Sequence, residues 1–295
     1  MKKIISLFLC TLLICSISGV AQNIKSDKKT IINNMNSFED DVPVWTVGNL
    51  WKYRIDTFLV NFNDSGKQVK LDFSINNLDV EVKGTSTTSY ELDASGKFSG
   101  SFEYDDGAGM RLSGNLYFTR ATGLMLIRQE DLTAEEENIV IKTFAIITEH
   151  PLPLSFPIPL PMTITLKIAH VTPRPFVDFP LYDGKQGMLN VLNLSGDIKA
   201  ESFVLKILHI IFPQVPEEIA LAQEISLPAL AYNTTVEEVT VAAGTFTAYK
   251  IQFFEKLFGS IYYAPAAGNI IKAEAEMDTE GIFVSFNGEL KDTNY

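Results

Sequence analysis

Apolar and polar side chains alternate with a period of two over most of the chain from residue 44 onward. Residues 69–75 carry apolar side chains at the odd positions, residues 78–82 at the even positions, and residues 110–118 again at the even positions. Successive side chains of a strand point to opposite faces, so this pattern predicts antiparallel strands with one wet and one dry face. We therefore expect a mainly β protein.

Clusters of Asn or Asp followed by Gly interrupt the alternation at residues 63–66, 93–96, 105–107 and 278–281. Asx residues and glycines supply the backbone conformations that hairpin connections need. The spacing of these clusters predicts a β-meander.

A weak internal repeat relates residues 115–126 to residues 260–271, with Gly123 matched to Gly268. It predicts two related β-meander halves, 43–150 and 181–295, that form a curved sheet or half-barrel. We expect both glycines at positive φ in tight turns. The alternative is that two unrelated hairpins converged on similar residues.

A proline-rich crossover over residues 151–180 separates the predicted halves and holds eight of the thirteen prolines. Because proline has no N–H to donate, this segment predicts an edge packed onto the sheet and excludes a helix or a central strand. The alternative is a hydrophobic lid or a strip that binds a partner. Its apolar side chains share even positions: Leu152, Leu154, Phe156, Ile158 and Leu160.

One apolar helix is predicted over about residues 200–212, and Pro213 ends it. Its side chains are apolar nearly all round, which predicts burial in the concave face of the sheet. A second, short helix is predicted over residues 217–224.

Residues 1–21 have the pattern of a secretory signal peptide, with Lys2 and Lys3 before an apolar run and a small-residue cleavage site before Gln22. The alternatives are a retained membrane anchor and a lipoprotein modified at Cys10 or Cys15. Residues 22–42 are polar and aperiodic and predict a flexible leader. We expect a secreted or extracytoplasmic product that is soluble once cleaved and contacts a membrane only through the uncleaved signal.

Composition narrows the function classes. Hydrophobic residues make up 46% of the 295 residues, which excludes a disordered chain, and the formal charge of −12 argues against a nucleic-acid binder. Cleavage would leave 22 basic against 36 acidic residues, a net charge of −14, and no cysteine. Thiol catalysis and cysteine-bound zinc are then excluded.

Catalytic motifs are absent from the sequence. The three histidines, His150, His170 and His209, lack the close spacing of metal ligands. We therefore expect no enzyme, no cofactor and no metal, and an extracellular hydrolase using paired carboxylates is the weakest alternative. Three sequons are candidate glycosylation sites: Asn63, Asn193 and Asn233.

Two segments resemble a known group of proteins. Residues 47–53 (VGNLWKY) resemble the opening strand of exported, uncharacterised curved-β-sheet proteins of the DUF3108-like type. Residues 239–251 (VTVAAGTFTAYKI) and 262–272 (YYAPAAGNIIK) are similar to their closing motif. The resemblance implies a curved sheet distantly like that of the LolA/LppX lipoprotein carriers, and it implies no catalytic residue.

These observations predict a non-enzymatic exported protein whose curved sheet binds an apolar small molecule or an envelope protein partner. The alternative is a structural module of the envelope or surface, with a closed core and no ligand. The expected ligand-binding residues lie on the proline-rich strip and the helix: Leu152, Leu154, Phe156, Ile158, Leu160, Phe203, Ile207, Leu208 and Ile211.

Overall fold

The computed structural model describes residues 41–295 except 65, 106, 108–110, 151–155, 176, 214–216, 228, 255–257 and 280–281. The expected signal peptide, nearly all of the polar leader, and the strip residues Leu152 and Leu154 lie outside the described residues.

Within the described residues the chain forms fourteen strands, one α-helix and one short 3-10 helix. The first six strands are β1 (Leu50–Asp64), β2 (Lys67–Thr85), β3 (Ser89–Asp105), β4 (Arg111–Arg128), β5 (Ala134–Glu149) and β6 (Ile158–Thr172). Then come β7 (Gln186–Leu189), β8 (Leu192–Glu201), helix α1 (Phe203–Ile211), β9 (Glu218–Leu227), β10 (Leu230–Val241) and β11 (Gly244–Phe253). The chain finishes with β12 (Phe258–Ala264), the 3-10 helix (Pro265–Ala267), β13 (Asn269–Thr279) and β14 (Ile282–Thr293).

All of these strands belong to one antiparallel sheet in the order β7-β10-β11-β12-β13-β14-β1-β2-β3-β4-β5-β6-β8-β9. The prediction of a mainly β fold with one helix is confirmed. The two predicted halves are not separate in space, because β8 and β9 lie at one edge of the sheet and β7 with β10–β14 at the other. The first six strands lie between them.

The apolar residues of the strands converge on one face, which we call the inner face. Its core is densest at the end of the strands where turns connect β2 to β3 and β4 to β5. We call this end of the sheet the closed end. There Trp45 and Trp51 pack against each other with ring centroids 4.7 Å apart, and Trp45 packs against Tyr90 at 5.3 Å. The N–H of Ala243 also donates to the carbonyl of Leu290, so the β10–β11 turn reaches β14 across two strands.

The segment 173–185 packs over the inner face and helps to close this end. Phe179 meets the ring of Tyr263 edge-on, with centroids 5.3 Å apart. Lys185 holds the segment in place, since its Nζ donates to the carbonyls of Asp178 and Pro180. The Tyr232 hydroxyl adds a hydrogen bond to the Asp178 carboxylate at 2.5 Å.

At the opposite end of the strands, β1 connects to β2 and β3 connects to β4. The inner-face side chains at that end are only partly buried. We call this the open end. Residues of this kind packed against the core are Leu71, Phe98, Phe102, Tyr104, Leu112 and Met162. The inner face is thus covered at the closed end and accessible to solvent at the open end.

Two of the predicted turns are confirmed, and one is wrong. Gly66 and Gly107 occupy the hairpin turns at positive φ, at 82° and 71°. Residues 93–96 instead lie inside β3, paired with β2 on one side and β4 on the other. The cluster looked like a turn because Asp93 and Ser95 are polar, but they alternate with inward-facing Ala94 and Gly96.

The internal repeat does not correspond to repeated structure. Gly268 has φ 58° after the 3-10 helix, as expected, whereas Gly123 lies within β4 and has no positive φ. Residues 115–126 form part of one continuous strand, and residues 260–271 form a strand, a turn and a second strand. The prediction of two matching hairpins is therefore wrong. Gly268 lies in a turn, whereas Gly123 lies inside a strand and is paired with Ala94 of the neighbouring strand.

The proline-rich segment is only partly an edge. Residues 158–172 form β6, and Pro159 and Pro161 pair with β5 alone. Pairing with β8 begins at Thr163, opposite Glu201, so the rest of β6 is an interior strand. Alternate residues direct their N–H groups to opposite sides of a strand, so the two prolines leave donors missing on one side only.

The helix is shorter and far more exposed than expected. Ala200 and Glu201 still pair with β9, and α1 begins after Ser202, whose hydroxyl accepts a hydrogen bond from the N–H of Val204. Only Leu205 is buried, while Phe203 and Ile210 are 74% and 79% exposed. The prediction of a helix buried on most sides is wrong, because the sheet covers a single face of it. The second predicted helix is also wrong, since its residues lie in β9.

Candidate ligand-binding groove

Two cross-strand pairs of very small residues lie next to each other on the inner face. Ala94 of β3 is paired with Gly123 of β4, and Gly96 of β3 with Ala121 of β4. The neighbouring inward positions carry large apolar side chains, with the Leu92–Met125 pair on one side and Phe98 on the other. The four small residues therefore leave a depression between them.

Large apolar side chains form the walls of this depression, and the resulting groove is small, with a volume of about 40 Å³, and open to solvent. The walls come from four neighbouring strands: Ile75 and Leu78 of β2, Phe98 of β3, Met125 of β4 and Ile139 of β5. A Cβ added to Gly123 would lie 3.3 Å from Ile139 and 3.8 Å from Ala94, so even one methyl group would narrow the floor. The space depends on the absence of side chains.

A buried contact between a glutamate and a histidine adjoins the groove on the same face. Glu137 of β5 and His170 of β6 lie 3.0 Å apart between Oε1 and Nε2, and their side chains are 0% and 1% exposed. Glu137 is directly opposite Met125 and two residues along β5 from Ile139, both of which line the groove. A carboxylate and an imidazole are thus placed at the closed-end margin of an apolar groove.

The ligand-binding residues expected from the sequence do not line this groove. Ile158 and Leu160 are buried in the core, each 5% exposed, and Leu208 is half-buried against it. Phe156, Phe203, Ile207 and Ile211 are exposed to solvent. The strip and the helix do meet, since α1 contacts β6.

Sequence reasoning missed the four small residues, although a signal was present. Ala94 and Gly96 occupy inward positions of one strand, and Ala121 and Gly123 occupy inward positions of the next. Small residues at alternate positions of two adjacent strands predict a gap once the register is known. Gly96 and Gly123 were instead interpreted as turn residues.

Two polar clusters outside the groove serve the packing of the sheet. The Tyr262 hydroxyl donates to Glu274 Oε1 at 2.9 Å, and Lys272 Nζ lies 2.8 Å from the other carboxylate oxygen. Burial, followed by the hydrogen bond to Glu274, raises the pKa of Tyr262 to about 12. The buried Arg174 donates to the carbonyl of Asn190 at 2.7 Å, and burial lowers its pKa to about 10.

No group of three or more metal-ligating side chains occurs among the residues that the structure describes. Within the same residues, no helix has the length and apolar character to cross a bilayer. The sequon residue Asn63 is exposed, whereas Asn193 and Asn233 are half-buried, and the Oδ1 atom of Asn233 is covered.

Comparison with known proteins finds no match for this chain among protein-family models, curated proteins or solved structures.

Proposed function

We propose that this protein binds an apolar small molecule in the groove of the inner face, outside the cytoplasm. The observation that carries the proposal is the paired arrangement of Ala94, Gly96, Ala121 and Gly123, which opens an apolar groove between larger apolar side chains. Protein interiors are close-packed, so an apolar depression left unfilled between large side chains is a place where an apolar group can bind.

The open end of the sheet provides a route to the groove. The partly buried Leu71, Phe102 and Leu112 extend the apolar inner face from the groove toward that end. A ligand lying along this path would cover apolar surface on the protein and on itself, at about 25 cal/mol for each Å² removed from water. The resemblance of residues 1–21 to a signal peptide supports an extracytoplasmic compartment for this binding.

A structural module without a ligand is the second candidate function. The observation that favours it is the dense closed end, where Trp51, Tyr90 and Tyr263 are each no more than 1% exposed. This core stabilises the fold whether or not a ligand binds.

The test uses Nile red, an apolar dye whose fluorescence rises in apolar surroundings, and the mature protein beginning at Gln22. We expect saturable binding by the wild type and at least a tenfold loss of affinity in Ala94→Leu, since the added side chain would occupy the groove. Lys97→Leu adds the same side chain three residues away on the exposed opposite face, and it should bind the dye like the wild type.

Two results would count against the proposal. Equal dye affinity in Ala94→Leu and the wild type would place the bound dye elsewhere, and a wild type that binds no dye would favour the structural module. Organic extraction of the purified protein, followed by mass spectrometry, would identify any molecule carried from the cell.

A further inference from the structure

The two edges of the sheet are protected to different degrees. At one edge, β7 has only four residues, and residues 183–185 bond to the part of β10 beyond it. The N–H of Gly184 donates to the carbonyl of Thr234, and the N–H of Val236 donates to Asp183 Oδ1. At the other edge, β9 is ten residues long and, in the described part of the chain, pairs with β8 alone.

Strand β9 also lacks the features that keep edge strands from pairing. Natural edge strands are commonly short, bent by a bulge, or supplied with lysine or proline. β9 pairs with β8 over all ten residues without a shift in register, and its sequence, EIALAQEISL, contains neither lysine nor proline. A long, regular edge strand of this kind presents a row of backbone N–H and C=O groups to which another strand can bond.

We propose that β9 pairs antiparallel with β9 of a second copy of this chain, which joins the two sheets across a two-fold axis. Identical strands in antiparallel pairing present the same edge to each other, so one contact completes the edge of both copies. Pairing of residues 218–226 would form about eight backbone hydrogen bonds. The inference is independent of the groove and of the ligand proposed for it.

The two faces of the sheet restrict the register of this pairing. Odd-numbered positions of β9 lie opposite Leu194 and Ala200 of β8, which are buried on the inner face. Directly opposite residues of an antiparallel pair point to the same face. The inner faces of the two copies are therefore continuous only if odd positions lie opposite odd positions, and even positions opposite even positions.

Charge excludes one of the registers that remain. Pairing centred on Leu221 would place Glu218 directly opposite Glu224 of the second copy, and like charges in that position are destabilising. Pairing centred on Ala222 places Glu218 opposite Ser226 instead. Registers displaced further in either direction pair fewer residues.

The remaining alternative, pairing centred on Gln223, is also less favourable. It would place the two copies of Glu224 diagonal to each other, about 7–8 Å apart. Pairing centred on Ala222 makes Glu218 and Glu224 the diagonal neighbours, and Lys199 Nζ lies 3.3 Å from the Glu218 carboxylate. That lysine offsets the repulsion, so we assign the register centred on Ala222.

The first test is analytical ultracentrifugation of the mature protein beginning at Gln22, over a range of concentrations. The wild type should show a monomer–dimer equilibrium. Ala222→Lys would place two lysines opposite each other at the two-fold axis and should weaken dimerisation about fivefold or more. Within one chain the new lysine lies opposite Asp197, so the variant should fold.

Ser226→Lys is the matched control, because it adds the same charge to the same strand and face. In the proposed register the new lysine lies opposite Glu218 of the second copy, and within one chain it lies opposite Asn193. This variant should dimerise at least as tightly as the wild type.

Disulfide formation measures the register directly. The chain beginning at Gln22 has no cysteine, so Ala222→Cys introduces a single thiol. Directly opposite residues have Cα atoms about 4.5–5.5 Å apart, within the range of a disulfide. The two copies of residue 220 would be offset by four residues, about 13 Å along the strand. Oxidation should therefore give a covalent dimer in Ala222→Cys and none in Ala220→Cys.

The results that would overturn the proposal are specific. A wild type that remains monomeric excludes the dimer, and equal dimerisation of Ala222→Lys and the wild type places the contact elsewhere. Loss of the dimer in both lysine variants, or a disulfide in Ala220→Cys alone, contradicts the register. The groove is lined by residues of β2 to β5, so dye binding tests the proposed function separately.

Discussion

The indole N–H groups of Trp45 and Trp51 donate to adjacent carbonyls of one short segment. Trp45 Nε1 donates to the carbonyl of Gly268 at 3.0 Å, and Trp51 Nε1 donates to that of Ala267 at 2.8 Å. Trp45 lies just before β1, and Trp51 is the second residue of that strand. The start of the described chain is thereby joined to the β12–β13 connection more than 200 residues later.

This arrangement predicts a large loss of stability on truncation of Trp51. Trp51 is fully buried, so Trp51→Ala should lower the free energy of unfolding by about 3–5 kcal/mol, as for other large core residues. Urea unfolding followed by far-UV circular dichroism measures the change. Trp45→Phe keeps a ring and loses one hydrogen bond, so its cost should be nearer 1 kcal/mol. Equal losses would contradict the assigned roles.

Gly268 is expected to resist substitution for two separable reasons. Its φ of 58° strains any other residue, and an added Cβ would collide with the ring of Tyr295. Gly48 has φ 95° and nothing within 4 Å of an added Cβ, so Gly48→Ala measures strain alone. We expect Gly268→Ala to lower the thermal unfolding temperature more than Gly48→Ala does.

A double variant isolates the collision at this position. Truncation of the ring in Tyr295→Ala should make the added Gly268→Ala change as mild as Gly48→Ala. A cost that is unchanged by the removal of the ring would show that backbone strain explains the whole effect.

Asp131 is expected to contribute stability that depends on pH. Burial raises the pKa of Asp131, but hydrogen bonds from Arg128 and Thr133 outweigh it, and the net pKa is lowered. A carboxyl whose pKa is lower in the folded state stabilises the protein above its unfolded pKa of about 4 and loses that contribution as the pH falls through the folded value.

Asp131→Asn should therefore lower the free energy of unfolding at pH 7 by about 1 kcal/mol, a modest value because the ion pair is partly exposed. Urea unfolding at several pH values measures it, and the difference from the wild type should shrink below about pH 4. Asp105→Asn breaks a more exposed pair with Arg111 and serves as the control. A difference that grew with acidity would contradict the sign.

The exposed and buried faces of α1 predict opposite responses to substitution. Leu205 is 7% exposed, so Leu205→Ala should cost about 2–5 kcal/mol of unfolding free energy. Phe203→Ser and Ile210→Ser alter side chains that are already in solvent, and each should cost less than about 0.5 kcal/mol. Large losses in both serine variants would show that this face is covered in solution.

The alternation from residue 69 to residue 75 was enough to predict β2 and its inward face, because a period of two is a local property of a strand. The turns at Gly66 and Gly107 were predictable for the same reason. The predictions of a turn at residues 93–96 and of a repeat at Gly123 were wrong, because glycine occurs both in turns and inside strands and the local sequence does not separate the two. Only the pairing of Ala94 with Gly123 distinguishes the two.

The burial of helix α1 could not be predicted from the local sequence either. The sequence shows that the helix is apolar at nearly every position. The area of the helix that contacts the sheet depends, however, on where β8 stops pairing with β6, which is at Thr163 and Glu201. Likewise, neither the sequence around Glu137 nor that around His170 indicates a partner 33 residues away.

The sequence by itself determined the strand class, the inward face of strands such as β2 and the turns at Gly66 and Gly107, because each follows from residues adjacent in the chain. The tertiary structure decided the order of the strands, the placement of β8 and β9 beside β6, the groove and the buried Glu137–His170 pair. Each of these depends on register between distant segments, and a shift of one residue would turn every side chain of a strand to the other face.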